Sequence, residues 1–174
     1  YQPKYDTVSK ELVGAEALVR WKKPDGTYIP PYKFIPTAEK NGFIIKLDKY
    51  VFNRVCQDQR RWLEEGKKVV PVSVNLSRQH LYNSEFINDY SNMVEKSGVP
   101  IDKLELEITE SAMFENQDEF LSIIDRLHGI GFRILMDDFG TGYSSLMMLK
   151  SIPIDVMKLD KSFVDDYNNE KGEK

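Results

Sequence analysis

Several things are scarce in this chain, and each shortage narrows what it can be. Among 174 residues there is one cysteine, Cys56, so no internal disulfide can form, which fits a reducing compartment. There are two histidines, His80 and His128, too few for a zinc site, and neither an HExxH nor a CxxC motif occurs. Apolar runs reach only a few residues, so no segment is long enough to cross a bilayer. No basic region leads into an apolar stretch, so no signal peptide is in view, although Tyr1 is not a native start. Glycine-rich phosphate loops are also missing. GIGFRI at 129–134 lacks a third glycine and precedes a strand, and DFG at 138–140 stands without the other kinase motifs. Positive charge is not in excess: 24 Lys and Arg against 28 Asp and Glu give a net −4, which argues against non-specific duplex binding. No linker, internal repeat or charge block precedes the polar stretch 168–174. The length falls short of the roughly 250 residues of a complete eight-fold α/β barrel.

What is present is a globular composition, 41% hydrophobic and 30% charged, arranged as alternating strand-like and helix-like segments. Residues 1–6 and 12–21 read as strands joined through a hairpin at 6–10. The prolines at 24, 30, 31 and 36 predict an irregular stretch. A helix is expected over 45–65, ending at Gly66. Residues 69–76 form a valine-rich strand, and Phe86, Tyr90, Met93 and Val94 keep helical spacing up to Gly98 and Pro100. Strands at 104–109, 132–137 and 156–160 alternate with a helix around Phe120, Ile124 and Leu127, capped by Asn116, and a short helix over 143–150. From residue 69 the order is β-α-β-α-β-α-β, which implies parallel strands with helical crossovers.

Reading each strand at period two separates two faces. Leu104, Leu106 and Ile108 oppose Glu105, Glu107 and Thr109. Val70, Val72, Val74 and Leu76 oppose Ser73, Asn75 and Ser77, and Val13, Ala15 and Ala17 oppose Gly14, Glu16, Leu18 and Arg20. Arg133, Leu135 and Asp137 share a side, as do Val156, Lys158 and Asp160. A doubly wound sheet has apolar strands on both faces. Here one face is apolar and the other carries polar groups near the strands' C-terminal ends, which is the pattern of a barrel lined by side chains with its site at the C-terminal rim.

Glu16, Asn75, Glu107 and Asp137 stand toward the ends of four strands. Three carboxylates and an amide oxygen form a hard, all-oxygen set that selects Mg²⁺ or Mn²⁺ over zinc. Asp138 follows and can serve a second metal, and paired metals are a standard device for phosphodiester cleavage. Lys158 enters from the next strand, where it can hold or deprotonate a water or neutralise phosphate charge. Each residue also has a plainer reading. Asp137 or Asp138 can cap the helix after 140–142, Glu105 and Glu107 can be solvated, Asn75 and Ser77 can cap the next helix, and Arg20 can lie along Trp21. These readings do not explain why all of the residues fall at corresponding strand ends. His128 at a helix C-terminus, a buried and inert Cys56, and packing roles for Met147, Met148 and Met157 complete the plainer assignments.

The motifs resemble those of EAL domains, the bacterial phosphodiesterases of cyclic di-GMP. The name-giving triplet is Glu16, Ala17 and Leu18, within GAEALVRW. The match continues with YQP at 1–3, FIPTAE at 34–39, SVNLS at 73–77, LEITES at 106–111, DDFGTGYSSL at 137–146 and MKLDKSFV at 157–164. Seven ordered blocks cover essentially the whole chain.

The resemblance implies an α/β fold, a TIM-like (β/α) barrel with an antiparallel first strand, of which residues 1–174 carry about six of eight strands. Two further strands, with a glutamate in a Glu-Gly-Val-Glu-like block and a glutamine in a Gln-Gly block, and a helix before YQP belong to the family pattern but not to these residues. The implied activity is hydrolysis of cyclic di-GMP to linear pGpG, with Mg²⁺ or Mn²⁺, two ions, as cofactor. Glu16, Asn75, Glu107 and Asp137 match the metal ligands, and Asp138 the metal centre and its water. Lys158 matches the lysine of the catalytic water, and Glu110 the glutamate that holds the DDFGTG loop. Gln2, Leu18 and Arg20 match substrate contacts, Arg20 to a phosphate. The 174 residues alone are expected to be weakly active or inactive. The alternatives are a non-catalytic cyclic di-GMP receptor or an interaction module. The expected partners are cyclic di-GMP, a second copy in a homodimer, and fused sensor or diguanylate cyclase domains, with no DNA and no membrane segment. The expected setting is the cytoplasm, either free or as the cytoplasmic domain of a membrane-anchored protein.

Overall fold

Four parallel pairings and one hairpin build the main sheet. The computed structural model of the chain describes residues 1–82, 85–113, 117–140 and 152–161. Strands β1 (Gln2–Tyr5) and β2 (Leu12–Ala17) pair antiparallel across a turn at 6–10. Asp6 sets that turn by accepting the Val8 and Ser9 amides on Oδ1 at 3.0 and 2.6 Å, with Lys10 at φ 60°. Strands β3 (Trp21–Lys22) and β4 (Tyr28–Ile29) form a separate small ribbon. Strand β2 then pairs in parallel with β5 (Val72–Asn75), β5 with β6 (Leu104–Thr109), β6 with β7 (Arg133–Phe139), and β7 with β8 (Val156–Leu159). The order β1-β2-β5-β6-β7-β8 gives six strands curled into part of an α/β barrel, with β1 reversed.

Helices α1 (Pro31–Lys40), α2 (Ile44–Glu64), α3 (Glu85–Ser97) and α4 (Gln117–Ile130) supply the crossovers and the outer cover. Gly66 and Gly98 end α2 and α3 at φ +69° and +67°, left-handed positions that glycine adopts without a Cβ penalty. The core lies between sheet and helices. Leu104, Leu106, Ile108, Ile134 and Met136 face Phe52, Tyr90, Phe120 and Ile124, all buried.

Three expectations need correction. The proline-rich stretch is not irregular throughout, because α1 starts at Pro31. A proline at the first helical position costs nothing, since its missing N–H would be unpaired there anyway. Pro36 lies inside the helix and has no N–H to give the carbonyl of Tyr32, an exposed residue. The strand expected over 12–21 ends at Ala17, and Trp21 belongs to the ribbon. The strand expected over 69–76 narrows to 72–75 behind Pro71. The short helix expected over 143–150, the Asn116 cap, Met147, Met148 and the stretch 168–174 lie outside the described residues.

His128 has a structural role. Asp155 Oδ2 accepts its Nε2 at 2.9 Å and the Ile134 amide at 2.8 Å, joining the end of α4 to the starts of β7 and β8. Burial works against the Asp155 charge, but these bonds outweigh it and hold the carboxyl below the usual aspartate range. A depressed carboxylate stabilises the fold above its unfolded pKa, and that contribution disappears as pH falls through the folded value. Asp155→Ala is therefore expected to cost about 1 kcal/mol at pH 7 in urea unfolding, shrinking toward pH 3. A cost independent of pH would contradict this.

Candidate functional site

The polar faces of β2, β5, β6, β7 and β8 converge at the C-terminal ends of the strands. Register accounts for this: Glu16 stands beside Ser73, Asn75 beside Glu107, and Thr109 beside Asp137. Alternation then aims Glu16, Glu107 and Asp137 to the same side, and one oxygen from each lies within 4.8 Å of the others. Glu105 and Glu107 are not solvated, being 5% and 1% exposed. The polar face is thus an interior.

Lys158 ties the group together. Its Nζ donates to Glu107 Oε2 at 2.7 Å, and to Glu16 Oε2 and Asp137 Oδ2 at 3.0 Å each. Partial burial disfavours the ammonium, but the three carboxylate bonds outweigh burial and raise its pKa above the ordinary lysine value. Glu107 shows the converse. Burial opposes its charge, yet bonds from Lys158, Lys4 and Ser73 hold its pKa below the glutamate norm. Asn75 Nδ2 donates to Glu16 Oε1 at 3.0 Å, fixing that carboxylate's other oxygen.

Lys4 was not legible as a site residue, because a lysine on a short first strand reads as an edge guard. Its Nζ donates to Glu107 Oε1 at 2.8 Å and to Ser73 Oγ at 2.7 Å. The signal was its period-two relation to Gln2. Lys4 pairs with Gly14, where a Cβ would lie 3.6 Å from the Lys4 stem and 3.3 Å from the Pro71 carbonyl. The glycine leaves that stem its path across the sheet. One layer lower, Arg133 donates to Glu105 at 3.0 Å.

The remaining expected residues sit around this centre. Asp138, exposed and at φ 55°, follows Asp137 and lies outside the three-carboxylate group. Burial first, then the charges of Asp137 and Asp160, push its carboxyl up. Glu110, 2% exposed, accepts the Gly140 amide on Oε2 at 3.0 Å and so joins the exits of β6 and β7. Gln2 is exposed on β1 opposite Glu16. Leu18 and Arg20 line a cavity of about 500 Å³ whose wall also includes Asp48, Asn75, Ser77 and Thr109. Among the described residues Arg20 donates only to the Val19 carbonyl, at 2.9 Å. Ser77 does cap the following turn through the Gln79 amide, at 3.3 Å. Cys56 is buried, which pushes its thiol up to about 11 and suits an inert role.

Three carboxylates bonded to two ammonium groups leave one negative charge in excess, before Asp138 is added. The donor atoms are hard oxygens spaced to meet on one ion, so the group fits a divalent metal such as Mg²⁺ or Mn²⁺. Lys158→Met removes the cation shared by all three carboxylates. It is expected to cost on the order of 1–3 kcal/mol at pH 7 without metal, discounted for the solvent at the mouth. Bonds from Lys158 and Lys4 hold Glu107 charged, so the loss should narrow toward pH 4 and on adding Mg²⁺. Urea unfolding under the three conditions checks this, and an equal loss in all of them would contradict it.

The EAL domain family model matches residues 1–174. An uncharacterized signaling protein of Caulobacter vibrioides is 45% identical over 97% of this chain and 20% of its own length. The cyclic di-GMP phosphodiesterase NbdA of Pseudomonas aeruginosa is 38% identical over 95% of this chain and 21% of its own. Among solved structures, the PaMucR phosphodiesterase in complex with c-di-GMP superposes with a TM-score of 0.90 at 34% identity, covering 99% of this chain and 70% of that one. The chain spans about a fifth to a quarter of the length of the curated relatives it matches. No helix among the described residues is long and apolar enough to cross a membrane. A family match over the whole chain, together with a fold shared with a known member, places this chain in the EAL domain family.

Proposed function

We propose that these residues form the greater part of the site of a metal-dependent phosphodiesterase that opens cyclic di-GMP to linear pGpG. The activity is proposed for the whole protein. The observation that carries this reading is the oxygen cluster of Glu16, Glu107 and Asp137, in negative excess, beside a cavity that carries Arg20. NbdA is named a cyclic di-GMP phosphodiesterase, and PaMucR holds c-di-GMP.

Glu16, Asn75, Glu107 and Asp137 would hold the metal, Mg²⁺ or Mn²⁺, with Asp138 serving a second ion. Bound there, the metal supplies an activated water and charge stabilisation at the leaving oxygen. Without a metal Lys158 donates to three carboxylates; beside a bound metal it would hold or deprotonate the attacking water. It orients oxygen lone pairs and offsets phosphate charge. Asp138 would stand with the metal centre and its water. Arg20 offers a planar fork to a phosphate, Leu18 an apolar contact to a base, and Gln2 amide contacts at the rim. Glu110 positions the backbone at Gly140.

Fused regulatory domains are part of the same reading. One relative is named a bifunctional diguanylate cyclase and phosphodiesterase, and another an oxygen sensor. Pairing with a second copy belongs to the same reading. The same reading puts the domain in the cytoplasm, either free or as the cytoplasmic part of a membrane-anchored protein.

The test is Mg²⁺- or Mn²⁺-dependent release of pGpG by the full-length protein. Glu16→Ala is expected to lower kcat at least about 100-fold, since a direct ligand should exceed the effect of its supports. Binding of cyclic di-GMP without turnover, or full activity in that variant, would contradict the reading.

A further inference from the structure

Helix α2 buries a stripe at Ile44, Asp48, Phe52, Val55 and Gln59, spaced four, four, three and four residues. Two of these five are polar, although the stripe faces the core. Gln59 satisfies its amide on the Val70 and Lys103 carbonyls at 2.8 and 3.3 Å, a fastening of the helix to the sheet's lower end. Asp48 does something different, because it reaches the other end of β5, where the site lies.

One oxygen of Asp48, Oδ2, accepts the Ser77 amide at 2.9 Å and His80 Nε2 at 3.2 Å. A carboxylate offers only acceptors, so the ring donates through Nε2. His80 is 1% exposed and cannot swing away. Its ring lies 4.9 Å from that of Phe86 and 5.8 Å from that of Tyr90, and Tyr90 is stacked in turn on Phe52 of α2 at 4.3 Å. His80 Nδ1 is buried without a hydrogen-bond partner among the described residues, so the bond to Asp48 is the ring's sole polar anchor there. A buried polar ring held by one bond has an unfavourable environment unless that bond is made.

The segment so anchored is the exit of β5. Asn75 bonds Glu16, the Leu76 amide bonds the Glu107 carbonyl at 2.8 Å, and Ser77 and Arg78 line the cavity. The Gln79 side chain donates to the Glu39 carbonyl, and Glu39 is on the same cavity wall. Asp48 is thus the point from which α2 fixes where the cavity wall stands relative to the carboxylate centre.

We propose that Asp48, backed by His80, is a positioning residue for ligand binding. It sets the Leu76–Arg78 wall of the cavity through the Ser77 amide, without itself taking part in the chemistry. The proposal rests on the reading of the cavity as the cyclic di-GMP site. Removal of either partner lets the wall drift while Glu16, Glu107, Asp137 and Lys158 keep their mutual bonds. The loss then falls on binding more than on the chemical step.

The experiment compares Asp48→Ala, His80→Phe and His80→Gln in the full-length protein. Asp48→Ala and His80→Phe are expected to raise KM for cyclic di-GMP on the order of tenfold, with kcat changed far less. They should also speed amide hydrogen exchange at Leu76–Arg78, with Leu104–Thr109 still protected. His80→Gln keeps a donor for Asp48 and is expected to return both readouts toward the unaltered protein. A lowered melting temperature with KM and local exchange unchanged would overturn the proposal, leaving a packing role only. An equal loss in His80→Gln and His80→Phe would also overturn it. Should the unaltered protein fail to act on cyclic di-GMP, the functional reading falls by itself, and the exchange measurement still decides whether Asp48 sets the wall.

Discussion

The site depends on one ammonium group shared among three strands. Lys158 of β8 bonds carboxylates from β2, β6 and β7, and without a cation those carboxylates would repel one another across less than 5 Å of oxygen separation. Lys4 of β1 adds a second cation to the innermost of them. Five of the six strands of the main sheet therefore contribute a charged group to one bonded cluster, and the sixth, β5, contributes Ser73 and Asn75 to the same cluster. The carboxylate charges still exceed the ammonium charges. This is the electrostatic state of a centre that gains from a divalent ion, and it also explains why Lys158 holds its proton.

The scaffold imposes this geometry by simple means. Parallel strands in register bring equivalent residues level, and alternation sends every second one inward. The interior is layered: Arg133 with Glu105 below, then Glu107 with the two lysines above. The outer face is apolar and packs under α2, α3 and α4. A sheet polar on one face and apolar on the other can bury both only by curling, so the charge pattern and the barrel-like form are one fact.

Much of this was legible in the residues. LELEIT at 104–109 alternates strictly, and the strand has those bounds and that inward face. Three of the four candidate ligand positions, Asn75, Glu107 and Asp137, fell toward strand ends because the strands after residue 69 were well marked. Three features were not legible. Pro31 was read as a breaker because proline usually is one, whereas the first turn of a helix accepts it. Lys4 was hidden because a lysine on a short first strand reads as an edge guard. Asp48 and His80 lie 32 residues apart, and only the helix packing brings them together. The available signal for Asp48 was a charged residue on a largely apolar stripe.

The central claim is that Glu16, Glu107 and Asp137 together receive a metal ion. The most direct measurement is an anomalous difference map from a crystal of the full-length protein grown with Mn²⁺. The account requires a peak about 2.0–2.3 Å from an oxygen of each of the three carboxylates, with Lys158 displaced from the position it holds between them. A map with no peak there, or with manganese bound elsewhere and the Lys158 bonds intact, would contradict it.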